Sequence, residues 1–228
     1  MFNDFIDMVF PQNCFACETT LEKHEECICL HCHYQLPKTN LHNTPTMNEL
    51  HYRFAGKVPL TYAFAYLSFT KKGRVQKLLH ALKYKSQERL GEKLGYWYGM
   101  DLLEKNNMSF DDYIIIPVPL HLRKLKERGY NQSEAFSKGL SDSLKIPLFS
   151  TIIQKTHHTS SQTNKSRLER WKNVENVFYI TNTGTIQNKK VLLVDDVITT
   201  GSTLEACALA LQKSKVHEIS IAGLALAC

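Results

Sequence analysis

The chain has 228 residues, with 28 Lys and Arg against 22 Asp and Glu, a formal charge of +6. Apolar residues make up 43% and charged residues 22%, with only ten Gly and seven Pro, which excludes collagen-like, low-complexity and wholly disordered chains. The most apolar stretch, Ile219 to Ala227, is about half the length of a membrane span, and the opening MFNDFIDMVFP carries two acids and no Lys or Arg, unlike a secretory signal, so a cytoplasmic protein without membrane insertion is expected.

At the front, Phe2, Phe5, Ile6 and Val9 recur at helical spacing and predict a short amphipathic helix over 2–9. Five of the seven cysteines follow within the first 32 residues: Cys14, Cys17, Cys27, Cys29 and Cys32. Cys14-x2-Cys17 and Cys29-x2-Cys32 are two knuckles, each offering two thiolates to one tetrahedral ion. Zn²⁺ accepts four thiolates without strain, and a site filled in this way keeps no open position, so it is structural. A disulfide pairing is the competing reading, against which a reducing cytoplasm argues. Cys27, His24, His31 and His33 lie close enough in sequence to replace a ligand. Residues 1–38 form this module, the polar TNLHNTPTMNELH falls in a linker over 39–57, and 58–228 form the main domain.

Within that domain, residues 62–69 predict a strand, and Val75, Leu78, Leu79 and Leu82 mark a helix, with a second through Leu90, Leu94 and Trp97. Asp112 to Val118 is a buried strand and Ser133 to Leu144 a helix; Tyr130, Asn131 and Gln132 before it are either its N-cap region or substrate contacts. Lys190 to Val194 is a second buried strand, Thr203 to Lys213 a helix, and Glu218 to Leu226 a last strand. Strands that read as continuous apolar runs between helices predict an α/β fold with a parallel sheet covered on both faces.

Charge is concentrated in one quarter of the chain. His121 to Lys172 holds eleven Lys and Arg against four Asp and Glu, and the remainder is close to neutral. This segment is either a solvated face or an anion site for a phosphorylated small molecule or nucleic acid.

The motif that separates these is Val191-Leu-Leu-Val-Asp-Asp-Val-Ile-Thr-Thr-Gly-Ser-Thr203. A buried strand delivers two acids, Asp195 and Asp196, at its carboxyl end, where ligands bind in open α/β sheets. A loop of hydroxyls then enters a helix N-terminus, whose free N–H groups suit a phosphate, and Gly201 lets the backbone come close. Carboxylates repel a phosphate, so they face hydroxyls or a bridging cation; a sugar phosphate satisfies both halves. No GxxxxGK[ST] loop occurs, and the 32 residues after Asp196 are too few for a receiver domain. A plain capped turn explains Ser202 or Thr203 but not the two acids.

This string resembles the phosphoribosyl pyrophosphate (PRPP) signature of type I phosphoribosyltransferases. The order of a four-cysteine module, HALKYKSQERLGEKLG, IIPVPLHLRKLKERGYNQ, KTHHTSSQTNKSRLERWKNV and the PRPP loop resembles the ComF family over nearly the whole chain. The resemblance implies a parallel-sheet type I phosphoribosyltransferase core with a small zinc module, and an association with natural competence and DNA uptake. It implies that Asp195 and Asp196 bind the ribose hydroxyls of PRPP and support its Mg²⁺, and that Thr199, Thr200, Gly201, Ser202 and Thr203 hold the 5′-phosphate. Pro119 to Arg123 then correspond to the pyrophosphate loop, with Lys124 and Arg128 near; in an active enzyme Mg²⁺ with Arg123, Arg128 or Arg167 could neutralise the leaving group. His157 to Lys172 match a loop that closes over the reacting centre in relatives; His158-Thr-Ser-Ser-Gln162 departs from them in lacking prolines.

Two functions fit. One is a phosphoribosyltransferase with a nitrogen acceptor. The other, favoured by the resemblance, is a PRPP-binding competence protein that also engages single-stranded DNA and competence proteins, with Lys165, Arg167, Arg170 and Lys172 on the phosphates. No aromatic ladder is interleaved with these cations, Trp171 and Tyr130 being the only candidates for stacking.

Overall fold

A parallel strand that is apolar at every position needs cover on both sides. The computed structural model, which describes residues 11–84, 86–105, 108–155 and 177–227, shows how that cover is built. In chain order the strands are β1 (Ala63–Phe69), β2 (Tyr113–Pro117), β3 (Ile153–Lys155), β4 (Phe178–Ile180), β5 (Lys190–Ile198) and β6 (Glu218–Ala227). β1, β6, β5 and β2 form one sheet in that order, every neighbour parallel, and β3 and β4 form a separate antiparallel ribbon.

The helices are α1 (Leu30–Tyr34), α2 (Glu49–Arg53), α3 (Arg74–Tyr84), α4 (Glu88–Leu103), α5 (Leu122–Arg128), α6 (Gln132–Leu144), α7 (Thr183–Ile186) and α8 (Ser202–Lys213). Alternate residues of the central strands serve two layers. Leu192 and Val194 of β5 pack with α3, α4, α6 and the cysteine module, whereas Val191 and Leu193 pack with α2, α7 and α8. Both sheet edges are covered by irregular chain. Thr39 N–H donates to the Tyr66 carbonyl beside β1, and Phe149 N–H to the Ile115 carbonyl beside β2, each at 2.9 Å.

α4 and α6 run in close contact because glycines face the partner backbone. A Cβ on Gly95 would collide with the carbonyl oxygen of Phe136, and one on Gly139 with that of Glu92. That approach brings the start of α6, and with it Ser133, to the carboxyl end of β5.

The stretch 39–57, expected as a linker, holds a 3-10 turn (Leu41–Asn43) and α2. Asn48 caps α2 by accepting from His51 N–H at 2.9 Å, and its amide donates to the carbonyls of Thr44 and Ala63, both at 2.8 Å. Leu50 and Phe54 are buried in the core of the main domain. The expected helix over 2–9 lies outside the described residues. Among the described residues no helix is long and apolar enough to cross a membrane.

Candidate functional site

The motif segment folds as its pattern requires. β5 carries Asp195 and Asp196 at its carboxyl end, both half-buried, and the chain then turns through Thr199, Thr200 and Gly201 into α8. Gly201 is the N-cap with φ +80°, a left-handed conformation natural to glycine. Its lack of a side chain is used twice, because a Cβ there would stand 2.7 Å from the ring of Phe54. Thr199, Thr200, Ser202 and Thr203 are exposed, and the Thr200 hydroxyl donates to that of Ser202 at 3.1 Å. The result is a loop of hydroxyls and helix-start N–H groups open to an anion.

The two acids differ in their surroundings. Asp195 Oδ1 accepts from the Ser133 hydroxyl at 3.1 Å and from Asp196 N–H at 2.9 Å. Burial, aided by the charge of Asp196, nevertheless pushes its carboxyl up to about 7. Asp196 accepts from Val197 N–H at 2.7 Å and faces the Lys83 ammonium, Nζ to Oδ2 3.5 Å. Lys83 stands at the end of α3, where the Leu82 carbonyl accepts from the Tyr130 hydroxyl at 2.6 Å and from the Gln132 amide at 3.4 Å.

The segment after β2 is held against β5 by Val118 N–H, which donates to the Val194 carbonyl at 2.8 Å. Asn131 acts as the N-cap of α6, accepting from Ser133 N–H at 3.1 Å and donating to the Val118 carbonyl at 3.0 Å. Arg128 donates to Gln132 Oε1 at 2.8 Å and so belongs to the cluster around the end of α3. Arg123 is exposed and pairs one turn along its own helix with Glu127, at 3.1 Å. Lys165, Arg167, Arg170 and Lys172, with His157 and His158, lie outside the described residues.

Two contributors come from the stretch expected to be a linker. The Arg53 guanidinium donates to the Thr199 carbonyl, and Lys57 pairs with Glu205 of α8 at 3.1 Å. Together with Phe54 under Gly201, they strap α2 across the phosphate-type loop. Nothing in the local sequence of 48–57 signals this, since its partners lie about 150 residues away in the chain.

Cys14, Cys17, Cys29 and Cys32 bring their Sγ atoms within 4.8 Å of one another and are free of disulfides. Cys17 and Cys29 Sγ are 3.7 Å apart, matching the edge of about 3.8 Å of a tetrahedron with metal–sulfur bonds of about 2.3 Å. Cys29 N–H donates to Cys14 Sγ at 3.3 Å and Cys32 N–H to Cys29 Sγ at 3.4 Å. Hydrogen bonds from Thr19 draw the Cys17 thiol down to about 6, whereas burial pushes Cys32 up. Four thiols so crowded can hold a metal ion. Cys27 stands outside the quartet, and His33 instead stacks on Trp97 with ring centroids 3.8 Å apart. A groove of about 1220 Å³ opens beside this module, lined by Phe15, Leu21, Lys77 and His80, and contains none of the residues around the acid pair.

Residues 131–227 match the phosphoribosyl transferase domain family. Competence protein F of Haemophilus influenzae is 36% identical over 154 residues, covering 66% of this chain and 67% of that protein. DNA utilization protein YhgH of Escherichia coli O157:H7 is 29% identical over 147 residues, 63% of each chain. The chain therefore spans about two thirds of the length of these relatives. The solved purine phosphoribosyltransferase from Pyrococcus horikoshii Ot3 is 25% identical, with a TM-score of 0.35 over 64% of this chain and 76% of that one.

Proposed function

The chain belongs to the ComF family, competence-associated proteins with a phosphoribosyltransferase-like domain, and from that premise we propose that it binds PRPP with Mg²⁺ at the Asp195–Thr203 turn. The observation that carries this reading is the pairing of two half-buried acids at the end of β5 with an exposed hydroxyl loop opening α8. Asp195 and Asp196 accept hydrogen bonds from the ribose hydroxyls. The N–H groups and hydroxyls of Thr199 to Thr203 take the 5′-phosphate.

The acid pair fits a magnesium-bearing ligand. Burial beside a second carboxylate raises Asp195 to about 7, and Lys83 brings a single positive charge to two acids. Mg²⁺ arriving on the pyrophosphate supplies the remaining charge neutralisation when bound. In this reading Arg128, bonded to Gln132 at the end of α3, serves the pyrophosphate, and a cation about 4 Å from one negative charge contributes roughly 4 kcal/mol before desolvation at an effective dielectric near 20. Arg123 reaches the ligand only by leaving Glu127, an exposed pair that costs little to break. The cysteine quartet holds Zn²⁺ as a structural ion.

In DNA uptake the same chain engages single-stranded DNA through Lys165, Arg167, Arg170 and Lys172. The charge excess of His121 to Lys172 and the relation to a competence protein and a DNA utilization protein support this.

Calorimetric titration of the purified protein with PRPP and Mg²⁺ tests the reading, with single-stranded DNA titrated separately at two salt concentrations. Saturable PRPP binding that Asp195→Ala abolishes is expected, with DNA affinity falling as salt rises. Absence of PRPP binding refutes the assignment of the turn. DNA binding indifferent to salt refutes the role of the four cations. Pyrophosphate release on adding a nitrogen acceptor would extend binding to transfer.

A further inference from the structure

A guanidinium has five N–H donors, and Arg53 has one of them engaged by the Thr199 carbonyl. Among the described residues it has no carboxylate partner, unlike Lys57 on Glu205 and Lys83 on Asp196. Its place is fixed from below. Asn48 caps α2, Leu50 and Phe54 are buried on either side of Arg53, and the Phe54 ring lies against Gly201. The guanidinium is therefore held at the rim of a loop whose hydroxyls at Thr199, Thr200, Ser202 and Thr203 are exposed.

That loop has no cation of its own. Its donors are N–H groups and hydroxyls, and the acidic residue in the first turn of α8, Glu205, is already neutralised by Lys57. A sugar 5′-phosphate carries nearly two negative charges at neutral pH. Planar, forked guanidinium donors match phosphate oxygens in pairs, and such charge-assisted contacts are about twice as strong as neutral ones.

Resting on the reading of this loop as a 5′-phosphate cradle, we propose that Arg53 is a ligand-contacting residue of the cradle. It reaches in from outside the matched phosphoribosyl transferase domain and selects a doubly charged sugar phosphate. The carbonyl of Thr199 anchors one edge of the guanidinium, and the other donors address the phosphate.

The test compares Arg53→Gln and Arg53→Lys in the full chain. Glutamine keeps an N–H donor for the Thr199 carbonyl but no charge, whereas lysine keeps the charge and loses the fork. Ribose 5-phosphate probes the cradle, and Mg²⁺-pyrophosphate probes the part of the site that does not include it. R53Q is expected to weaken ribose 5-phosphate by about 10- to 100-fold, with part of the loss restored in R53K. Pyrophosphate affinity is expected to change by less than about twofold in either variant, the scatter of an uninvolved surface charge.

Wild-type affinity in R53Q would assign Arg53 to pinning the loop and overturn the proposal. R53K as weak as R53Q would overturn the role of charge. Equal losses for both probes would indicate collapse of the whole site and overturn it as well. If wild type binds PRPP with Mg²⁺ and only the Arg53 effects are missing, the cradle stands without Arg53; if wild type binds neither PRPP nor ribose 5-phosphate, the reading of the loop itself fails.

Discussion

Lys83 meets Asp196 with Nζ 3.5 Å from Oδ2, in a place where 26% of the lysine and 19% of the aspartate side chain stays exposed. The contact joins the end of α3 to the end of β5, and among the described residues it is the ion pair that brings a positive charge to the two acids. Replacement of Lys83 by Met removes a charge that holds the Asp195 carboxyl down against burial and against Asp196. The neutral form of Asp195 then persists to still higher pH, and ionising it costs more. K83M is expected to lose about 1–2 kcal/mol of stability at pH 8 and less at pH 5, where Asp195 is largely protonated in both proteins. Urea denaturation at the two pH values measures this; an equal loss at both would assign the contribution to packing of the lysine stem.

Asp195 itself is a source of instability. Its folded pKa, about 7, stands above the ordinary value of 3.8, so the native state holds a proton that the unfolded chain has released. Native stability from this group is complete below the unfolded value and falls as pH rises towards the folded one. Asp195→Asn, which cannot ionise, should flatten the fall between about pH 4 and pH 7 and raise stability at pH 8 by roughly 1–3 kcal/mol, while removing PRPP binding. Thermal midpoints of both proteins across this range decide the matter; a midpoint for D195N below wild type at pH 8 would show that the Ser133 and Asp196 contacts need the carboxylate.

The segment from Val191 to Thr203 was legible because its chemistry is contiguous: strand end, acids, loop and helix start follow one another without a break. The two x2 spacings of the cysteines were equally informative, since each knuckle brings two thiols together locally. Setting Cys27 aside required the fold. Ser133, Lys83 and Arg53 were not legible as site residues, because each reaches the acids or the loop across a long stretch of chain and a single sequence carries no pairing signal. Leu50 and Phe54 were hidden by polar neighbours. Their burial follows from the Asn48 cap, which turns a polar stretch into one helical turn with an apolar side. Arg123 and Arg128 lie five residues apart on the same basic stretch, yet the bond from Arg128 to Gln132 joins only the second of them to the end of α3.

The α4–α6 contact supports the site from behind. A methyl group at Gly95 has no room, as the carbonyl of Phe136 occupies its place. Gly95→Ala gains up to about 1 kcal/mol of helix propensity, but it must push α6 away at a cost of roughly 2–4 kcal/mol. A net destabilisation in chemical denaturation is expected, along with weakened PRPP binding, because Ser133 moves with α6. A more stable variant would place the two helix axes further apart than their carbonyl contacts imply.

Removal of one thiolate tests how the cysteine module is coupled to the main domain. Cys14, Ala16, Ile28, Cys32 and Leu36 are buried in the same cluster as Val75, Leu78 and Leu82 of α3 and Leu90 of α4. Of the ion pairs across this junction, Lys77 with Glu18 at 3.0 Å and Arg89 with Glu26 at 2.9 Å are exposed and contribute little, while Lys93 with Glu26 at 3.4 Å and Lys38 with Asp101 at 2.6 Å are partly buried additions to a junction that is mainly apolar. Apolar packing carries most of the coupling, and if the four thiols hold the proposed ion, a module deprived of it loses the geometry that presents those side chains. Cys14→Ser is expected to lower zinc content well below about one ion per chain and to speed amide exchange through residues 14–36 and along α3. α8, on the other side of the sheet, should keep its protection. Because Lys83 stands in the last turn of α3, PRPP affinity should fall as well, although among the described residues none of the module pairs with the acids. Protection of α3 unchanged in the zinc-depleted variant would show that the module frays alone and that the end of α3 is held by Tyr130 and Gln132 without its help.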